Sequence, residues 1–310
     1  MRILVTGGSG FVGRRMLARL TARRAAGEVL ELHALFRDAP AEPPRPGADW
    51  AEAVRWHAVD LADRGAVVGT VRAIAPERVY HFAALANPRD CAADPAAAFA
   101  VNAGGTAAVL AGLVPGAARA LVVSSAQVYG RHVEGILGED QPARPDSPYG
   151  RSKLCAERIA QRFARRGLAV VVARPFNHAA REQSPRYVLP ALAGQVRRAR
   201  DEGLPLTTGN LWPRRDFLHV EDVLDAYELL IERGDSGTTY NVCRGETHSI
   251  GEALAGLQAR LGTNLEPVTD PERARADDIP ELGGEPRRLR ELGWAPRHSF
   301  EQLLDELAEG

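Results

Sequence analysis

The chain opens with a glycine-rich turn, MRILVTGGSGFVGRRML, that joins a short apolar run to a segment with helical spacing. The run at 2–5 is typical of a buried strand, and the glycines after it read as G-x-G-x-x-G. Gly7 permits the tight bend, Gly10 lets a pyrophosphate approach the backbone, and Gly13 lets the helix pack closely on the strand. The N–H groups at the helix start attract phosphate. The turn therefore predicts a dinucleotide-binding α/β domain; the alternative is a glycine-rich turn with a structural role only.

The order of apolar runs extends this prediction along the first half of the chain. Further strands are predicted at 28–36, 54–59, 78–83, 119–125 and 168–175. Helical spacing lies between them, most clearly at 94–114 and 148–166. Strict alternation of strand and helix is typical of a parallel sheet covered by helices on both faces. The predicted fold class is therefore α/β, with a Rossmann-like doubly wound parallel sheet.

The pattern changes after Pro175, where prolines and glycines interrupt the apolar runs. Helical spacing returns at 186–200 and 221–233, and short strands are expected around TTYNV at 238–242. We therefore expect a smaller C-terminal substrate-binding lobe in addition to the larger domain. The predicted division is 1–173 plus 209–242 for the dinucleotide-binding domain and 174–208 plus 243–310 for the lobe.

Composition limits the partners that the chain can have. The 310 residues have a net charge of −1, so no broad basic field is available for nucleic acid or an acidic membrane. Three cysteines lie far apart, which argues against a disulfide framework or a structural zinc site and favours a reducing compartment. No apolar run approaches the roughly 20 residues of a membrane span, and strand-like residues occupy the place of a signal peptide. We therefore expect a cytoplasmic protein without a metal site.

The end of the second predicted strand bears on the choice of cofactor. An acidic residue there usually binds a free ribose 2′-hydroxyl, and an arginine binds a 2′-phosphate. The strand ends ALFRD, with Arg37 directly after the apolar run and Asp38 behind it. Arg37, assisted by Arg14, favours NADP(H), whereas a longer strand would give Asp38 the acidic role and favour NAD(H). Both charges also fit a solvated loop. Asp60, after the third strand, is expected at the adenine.

The segment DSPYGRSK has the start signals of a helix, with Ser147 as N-cap and Pro148 at the first helical position. Tyr149 and Lys153 are four residues apart and therefore lie on one face. A tyrosine hydroxyl with its ordinary pKa of about 10 is a poor acid or base at neutral pH. The lysine ammonium and the helix N-terminus favour the phenolate, so Tyr149 is predicted to exchange a proton with a carbonyl or an alcohol. An exposed helical pair is the alternative, which the glycine turn upstream disfavours.

A third group is expected to hold the substrate oxygen. The stretch VVSSAQVYG ends a predicted strand with two serines. Ser125 is predicted as the third catalytic residue, four residues before Tyr129. Ser124, one position deeper in the strand, is the alternative.

The motifs TGGSGFVG, HFAALA, VNAGGT, SSAQVYG, YGRSK and RPFN occur in the order and spacing of a known family. In them the chain resembles the extended short-chain dehydrogenases/reductases, which include nucleotide-sugar epimerases, dehydratases and reductases. The resemblance covers essentially the whole chain and implies a homodimer through a helix bundle from 94–114 and 148–166. It also implies a set of cofactor contacts: Gly7, Gly10, Phe11, Val12, Gly13, Arg37, Asp60, Leu61, Ala83, Tyr149 and Lys153.

Two later stretches, at 174–190 and 209–222, resemble the subgroup of GDP-4-keto-6-deoxy-D-mannose reductases. The resemblance implies that Arg215 and Arg275 bind the two phosphates, since a planar guanidinium meets phosphate oxygens in pairs. A surface ion pair with Asp216 is the alternative for Arg215. The stretch AARE replaces a Gly-Pro-Gly turn of the subgroup, so the loop beside the sugar is expected to differ. The other implied substrate contacts are Asn87, Gln127, Asn177, Val188 and Asp278.

These features imply an enzyme that moves hydride between a nicotinamide cofactor and a nucleotide-linked sugar. The leading prediction is NADPH-dependent reduction of the 4-keto group of a nucleotide-linked 4-keto-6-deoxy sugar, with GDP-4-keto-6-deoxy-D-mannose as substrate. Dehydratases of the family have a glutamate base two residues after the catalytic serine or threonine, whereas Gln127 here has no useful basicity. The alternative is a nucleotide-sugar 4-epimerase that retains NAD, and a more distant one is a non-catalytic cofactor-binding regulator.

Overall fold

The computed structural model describes residues 1–37, 52–133, 135–274 and 278–309. The strands are β1 (Arg2–Thr6), β2 (Glu31–Phe36), β3 (Val54–Ala58), β4 (Arg78–His81), β5 (Arg119–Val123), β6 (Gly135–Leu137), β7 (Ala169–Pro175), β8 (Asn177–Ala179), β9 (Thr207–Thr208), β10 (Arg214–Arg215), β11 (Phe217–His219), β12 (Thr239–Val242), β13 (His248–Ser249), β14 (Val268–Thr269) and β15 (Glu281–Gly284).

The helices are α1 (Phe11–Ala25), α2 (Arg64–Ile74), α3 (Pro88–Ala93), α4 (Pro95–Phe99), α5 (Thr106–Ala111), α6 (Pro148–Arg165), α7 (Val188–Glu202), α8 (Val220–Arg233), α9 (Ile250–Arg260), α10 (Arg287–Glu291) and α11 (Phe300–Glu309). A π-helix at Ala100–Gly105 connects α4 to α5, and a 3₁₀ turn at Ala126–Val128 follows β5. Within the described ranges, none of these helices is long and apolar enough to cross a bilayer.

Seven strands form one sheet in the order β12-β7-β5-β4-β1-β2-β3. The neighbouring pairs from β7 to β3 are all parallel. Strands β1, β4 and β5 each contain at least three consecutive buried residues, as expected for strands with helices on both faces. The predicted α/β class with a doubly wound parallel sheet is therefore confirmed.

Apolar packing on this sheet fixes the positions of the strand ends. Leu4 of β1, Val79 of β4 and Val122 of β5 belong to one buried cluster that includes Val71 of α2 and Val109 of α5. Since parallel strands end at the same edge of a sheet, the glycine turn after β1 and the two serines after β5 follow the carboxyl ends of strands in one sheet. This is the edge at which doubly wound folds bind ligands.

The described chain forms two compact units. The first consists of Met1–Gly130, Pro142–Arg174 and Tyr227–Tyr240, and the second of Arg131–Gln141, Pro175–Ala226 and Asn241–Gly310. These units assign 209–226 to the second unit, whereas the sequence-based division assigned it to the dinucleotide-binding domain. The domain boundaries remain a prediction.

The second unit contains a four-stranded sheet of order β13-β10-β15-β6 and the parallel pairs β11–β8 and β14–β9. Its core packs α7, α9 and α11 together through buried residues such as Leu192, Leu257 and Leu304. A capping box begins α9, with Ser249 and Glu252 each bonded to the backbone N–H of the other. These contacts fix the helices that follow the short strands of this unit.

The predicted helix over 94–114 is divided into three parts. The α4 and α5 helices are separated by the π-helix, in which the wider turn displaces the following side chains. Gly104 and Gly105 lie in this segment, where an added Cβ would come within 3.0 Å of Arg64 and Leu61. The two glycines therefore allow Arg64 and Leu61 to pack closely on the π segment, which contains the buried Asn102.

The predicted start of the helix over 148–166 is confirmed. Ser147 Oγ accepts a hydrogen bond from Gly150 N at 3.1 Å, and Pro148 is the first residue of α6. Tyr149 and Lys153 both lie in the first two turns of this helix.

Candidate active site

The glycine turn has backbone geometry that only glycine tolerates at two positions. Gly7 has a φ of +70°, and an added Cβ would lie 2.8 Å from the backbone nitrogen of Ala83. A Cβ on Gly13 would lie 2.1 Å from the carbonyl oxygen of Gly7. A side chain at Gly7 would push the turn away from the segment after β4, and one at Gly13 would push α1 away from the turn.

The start of α1 fits a phosphate group. Gly10 is the N-cap, and among the described residues no side chain caps the helix. An added Cβ on Gly10 would approach only the Gly7 carbonyl, at 3.2 Å, so the outer side of the turn is open. Phe11 and Val12 are the first residues of the helix and are partly buried. The first N–H groups of α1 are thus available to an anion, as a dinucleotide pyrophosphate requires.

The other candidate cofactor contacts follow neighbouring strands. Arg37 is exposed directly after β2, and Asp38 lies outside the described residues. Asp60 is exposed two residues after β3, where its carboxylate accepts a hydrogen bond from Ala62 N at 2.9 Å, and Leu61 beside it is buried. Ala83, after β4, is partly buried.

Tyr149 and Lys153 are both buried in the first unit. Tyr149 packs against Cys91, Ala98 and Leu85. The Lys153 ammonium donates a hydrogen bond to the carbonyl oxygen of Val123 at 2.8 Å. Burial lowers the pKa of Lys153 to about 8, although Cys91 and Glu157 act in the opposite direction. Burial therefore destabilises the charged form of Lys153, and its pKa depends on the charges of its immediate neighbours.

The two serines after β5 have different environments. Ser124 is 2% exposed, and its hydroxyl donates to Glu157 Oε1 at 2.5 Å. Ser125 is partly exposed, and its Oγ accepts from the backbone N–H of Gln127 at 3.2 Å. The Ser125 hydroxyl keeps its proton available for an incoming oxygen, so the environment favours Ser125 over Ser124.

A chain of hydrogen bonds, absent from the sequence-based predictions, crosses the interior of the first unit. Ala83 N donates to Thr6 Oγ1 at 3.1 Å, and that hydroxyl lies 2.7 Å from His81 Nδ1. His81 Nε2 lies 2.9 Å from Thr106 Oγ1, which donates to the Asn102 carbonyl at 2.6 Å. Since the Thr106 proton is used on Asn102, His81 must donate from Nε2 and accept at Nδ1. Burial, with the charge of Lys153, lowers the pKa of His81 to about 3, so the ring is neutral.

The Asn102 side chain connects this series of hydrogen bonds to α6, the helix that contains Tyr149. Its Oδ1 accepts from Leu85 N at 2.8 Å, and its Nδ2 donates to Leu85 O at 3.1 Å and to Ser152 Oγ at 2.9 Å. Ser152 in turn donates to the Tyr149 carbonyl at 2.8 Å. Asn102 therefore links the segment after β4 to the first turn of α6. The sequence signal for this network is the presence of polar residues in two apolar motifs: His81 in HFAALA, and Asn102 and Thr106 in VNAGGT.

In the second unit, the candidate phosphate ligand Arg215 is held by neighbouring oxygens. Its guanidinium donates to Asp278 Oδ1 at 2.7 Å and to the Ile279 carbonyl at 2.8 Å. Asp216 is fully buried and accepts from the backbone N–H groups of Arg244 and Gly245, each at 2.8 Å. The alternative of a surface ion pair between Arg215 and Asp216 is therefore wrong, because Asp216 is not at the surface. Arg275 lies outside the described residues.

The remaining substrate candidates lie in both units. In the first, the Asn87 side chain caps α3 by accepting from Arg89 N at 2.9 Å, and Gln127 is exposed in the 3₁₀ turn. In the second, Asn177 is exposed at the start of β8, and Val188 is exposed at the start of α7. Asn177 and Gln127 thus present polar side chains to solvent, and their roles remain predictions.

Comparison with known proteins shows a shared fold and a shared family. A family model described as GDP-mannose 4,6 dehydratase matches residues 4–307. A GDP-6-deoxy-D-mannose reductase of Pseudomonas aeruginosa is 33% identical over 98% of this chain and 94% of its own length.

Two solved structures extend the comparison. The structure of RMD from Pseudomonas aeruginosa complexed with NADPH is 30% identical with a TM-score of 0.82, over 99% of this chain and 97% of that one. The UDP-glucose 4-epimerase of Thermus thermophilus in complex with NAD is 28% identical with a TM-score of 0.84, over 100% of this chain and 98% of that one. The chain therefore belongs to the GDP-mannose 4,6 dehydratase family of extended short-chain dehydrogenases/reductases, whose members are NAD(P)-dependent enzymes acting on nucleotide sugars.

Proposed function

We propose that this protein reduces the 4-keto group of a nucleotide-linked 4-keto-6-deoxy sugar with NADPH, and that GDP-4-keto-6-deoxy-D-mannose is its substrate. The observation that carries the proposal is the arrangement after β5, where the partly exposed Ser125 is followed two residues later by Gln127. A hydroxyl donor is available for a ketone oxygen, but the glutamine amide cannot remove the proton that dehydration requires. The GDP-6-deoxy-D-mannose reductase relative supports the same reaction.

NADPH, when bound, supplies the hydride that is added to C4 of the sugar. Tyr149 donates its phenolic proton to the ketone oxygen, which becomes a hydroxyl. Ser125 donates a hydrogen bond to the same oxygen and stabilises the negative charge that develops there. The Lys153 ammonium, held on the Val123 carbonyl, stabilises the phenolate left on Tyr149. Atoms balance, since one hydride and one proton add across the C=O bond.

We assign the nucleotide end of the substrate to the second unit. Arg215 and Arg275 bind the two phosphates, Asp278 accepts from the ribose hydroxyls, and Asn177 contacts the diphosphate. Val188 contributes an apolar contact from the start of α7. The Arg215 guanidinium is already oriented by Asp278 and Ile279, which reduces the entropy lost when a phosphate binds. Asn87, in the first unit, is assigned to the sugar.

We propose NADPH rather than NADH as the cofactor because Arg37 is exposed directly after β2, where a 2′-phosphate is usually bound. The NADPH complex of the Pseudomonas aeruginosa structure supports this assignment. Gly7, Gly10 and Gly13 hold the pyrophosphate turn. The other proposed cofactor contacts are Phe11 and Val12 at the start of α1 and, after the strands, Asp60, Leu61 and Ala83.

We also propose a homodimer formed by the helical segments 94–114 and 148–166. Phe99 and Val114 are 40% and 57% exposed, although both are apolar, and burial of such side chains favours association. Light scattering on the eluting protein would give the mass of two chains; the mass of one chain would contradict the proposal.

A second candidate function is a nucleotide-sugar 4-epimerase, which the UDP-glucose 4-epimerase with NAD supports. An epimerase returns the hydride to the sugar and so regenerates its cofactor, whereas a reductase consumes NADPH. Protein that is purified with tightly bound NAD and interconverts UDP-hexoses without added cofactor would favour the epimerase.

The proposed function excludes dehydration, and this can be tested with GDP-mannose and NADP⁺. We expect no 6-deoxy-4-keto product by NMR, because Gln127 provides no base. Formation of that product would contradict the proposed function. The variant Gln127→Glu serves as the comparison, since it restores a carboxylate at this position.

A further inference from the structure

The carboxyl end of β5 is bonded to α6 at two successive residues. The Val123 carbonyl accepts from the Lys153 ammonium at 2.8 Å, and the Ser124 hydroxyl donates to Glu157 Oε1 at 2.5 Å. Lys153 and Glu157 are four residues apart and lie on the same face of α6. Consecutive turns of one helix thus hold consecutive residues of one strand.

Glu157 is itself fixed from a second direction. Arg174, in β7, donates from Nε to Oε1 at 2.9 Å and from Nη2 to Oε2 at 2.7 Å. The two residues are 1% and 6% exposed, and the Arg174 guanidinium lies over the Tyr129 ring at 4.9 Å. A paired guanidinium and carboxylate of this kind has a fixed orientation, so Oε1 cannot follow a moving Ser124.

Ser125 is the residue directly after this attachment. Its backbone is extended, with a φ of −163° and a ψ of 150°, and it is the N-cap of the 3₁₀ turn at 126–128. Within the described part of the chain, the Ser125 side chain has one hydrogen bond, from Gln127 N at 3.2 Å, so the backbone of Ser124 has a large part in setting its direction. A serine that must donate to one oxygen needs its Cα and Cβ fixed to a fraction of an ångström.

We propose that Glu157 is a positioning residue for Ser125 and acts through the Ser124 hydroxyl. The inference rests on the proposed function in that it takes Ser125 as the donor to the substrate oxygen. The two adjacent serines then have different roles: Ser124 fixes the end of the strand, and Ser125 donates a hydrogen bond to the substrate oxygen. An exclusively structural role for Glu157 would instead affect folding and leave the chemical step unchanged.

Ser124→Ala is the test, because it removes one hydroxyl and leaves the Glu157–Arg174 pair intact. Ser236→Ala is the control that also removes one serine hydroxyl. At this exposed position near the opposite end of β7, the hydroxyl accepts from Val170 N at 3.2 Å and donates to Leu168 O at 3.3 Å. We expect kcat of Ser124→Ala to fall about tenfold or more, with KM for the cofactor within about twofold of wild type. Both variants should remain folded at the assay temperature, with a lower thermal midpoint for Ser124→Ala because a buried carboxylate loses a donor, and the control should keep its kcat.

Hydrogen exchange gives a readout that needs no substrate. The Gln127 amide is bonded to Ser125 Oγ, so it should exchange faster in Ser124→Ala than in Ser236→Ala. Glu157→Ala should show the same kcat loss and the same faster exchange, because Ser124 loses its acceptor, together with a lower thermal midpoint, because Arg174 loses its counter-charge.

Unchanged kcat together with unchanged exchange of the Gln127 amide in Ser124→Ala would overturn the proposal. A loss of kcat/KM that comes entirely from a higher cofactor KM would also overturn it. Failure of the proposed function looks different, because the wild-type enzyme then oxidises no NADPH with a keto sugar. In that case the exchange comparison still decides whether the Glu157–Ser124 contact holds Ser125.

Discussion

The Lys153 ammonium and the Val123 carbonyl oxygen lie 2.8 Å apart, which fastens the helix that contains Tyr149 to the strand that precedes Ser125. This contact, beside that of Ser124 with Glu157, therefore links the three proposed catalytic residues within the first unit. Because Lys153 is buried, this single carbonyl contributes much of the solvation that its charge has lost. Electrostatics and geometry at the site are thus coupled through one residue.

Tyr149→Phe should bind cofactor nearly as well as wild type but lose turnover by roughly 10²–10⁴-fold. The substitution deletes only the ionisable oxygen and leaves the ring packed against Cys91 and Ala98. Steady-state kinetics and cofactor titration by fluorescence would measure the two effects separately. Wild-type turnover in the purified variant would remove Tyr149 from proton transfer.

The pH dependence of reduction should follow Lys153. Burial lowers its pKa to about 8, and His81, Cys91 and Glu157 are the titratable groups that act on it or respond to it. Above that pH the lysine loses its proton, Tyr149 becomes a weaker acid, and the rate of reduction should fall. Lys153→Arg keeps its charge and should move the basic limb of the kcat profile upward. An identical basic limb in both proteins would contradict this role.

His81 should remain neutral, with its proton on Nε2, across the range in which exposed histidines titrate. Its folded pKa of about 3 lies below its ordinary value of 6.5, because burial disfavours the imidazolium. The His81 contribution to the free energy of unfolding is therefore complete above the unfolded pKa and is lost as the pH falls toward the folded one. Long-range ¹H–¹⁵N NMR between about pH 5 and 8 would check this. A His81 ring that titrates in this range, or that carries its proton on Nδ1, would contradict the donor and acceptor roles assigned between Thr6, His81 and Thr106.

Arg37→Ala should raise KM for NADPH and leave KM for NADH little changed. Loss of a charge-assisted contact with a phosphate costs about 1.5–3 kcal/mol, which corresponds to roughly one to two decades. Initial rates with the two cofactors at saturating substrate are the measurement. An equal rise for both cofactors would show that Arg37 does not bind the 2′-phosphate.

The fold was predictable because its signals are local. Apolar runs and glycine turns identified the strands and helices of the first unit within a few residues. The second strand was predicted to start at position 28 but begins at Glu31. Gly27, with a φ of +107°, and the bond from Glu28 N to the Arg23 carbonyl keep the intervening residues in the turn after α1. Periodicity does not report such a turn.

The catalytic pair was predictable for the same reason, since Tyr149 and Lys153 share one helix. The residues that hold it were not. Thr6, Asn102 and Ser152 come from separate segments, and only the folded chain shows that their polar atoms satisfy one another. The sequence already favoured Ser125 over Ser124, but it could not show that the Ser124 hydroxyl is bonded to Glu157, which lies 33 residues further along the chain.

The proposal of a 4-keto reductase is tested most directly by following a labelled hydride. The enzyme would be incubated with GDP-4-keto-6-deoxy-D-mannose and NADPH that carries deuterium at the transferred position. We predict that one equivalent of NADPH is oxidised per sugar and that NMR finds the deuterium on C4 of a 6-deoxyhexose. A 4-keto substrate that remains unreduced, with NADPH unconsumed, while the same protein interconverts nucleotide hexoses at C4, would contradict the proposal.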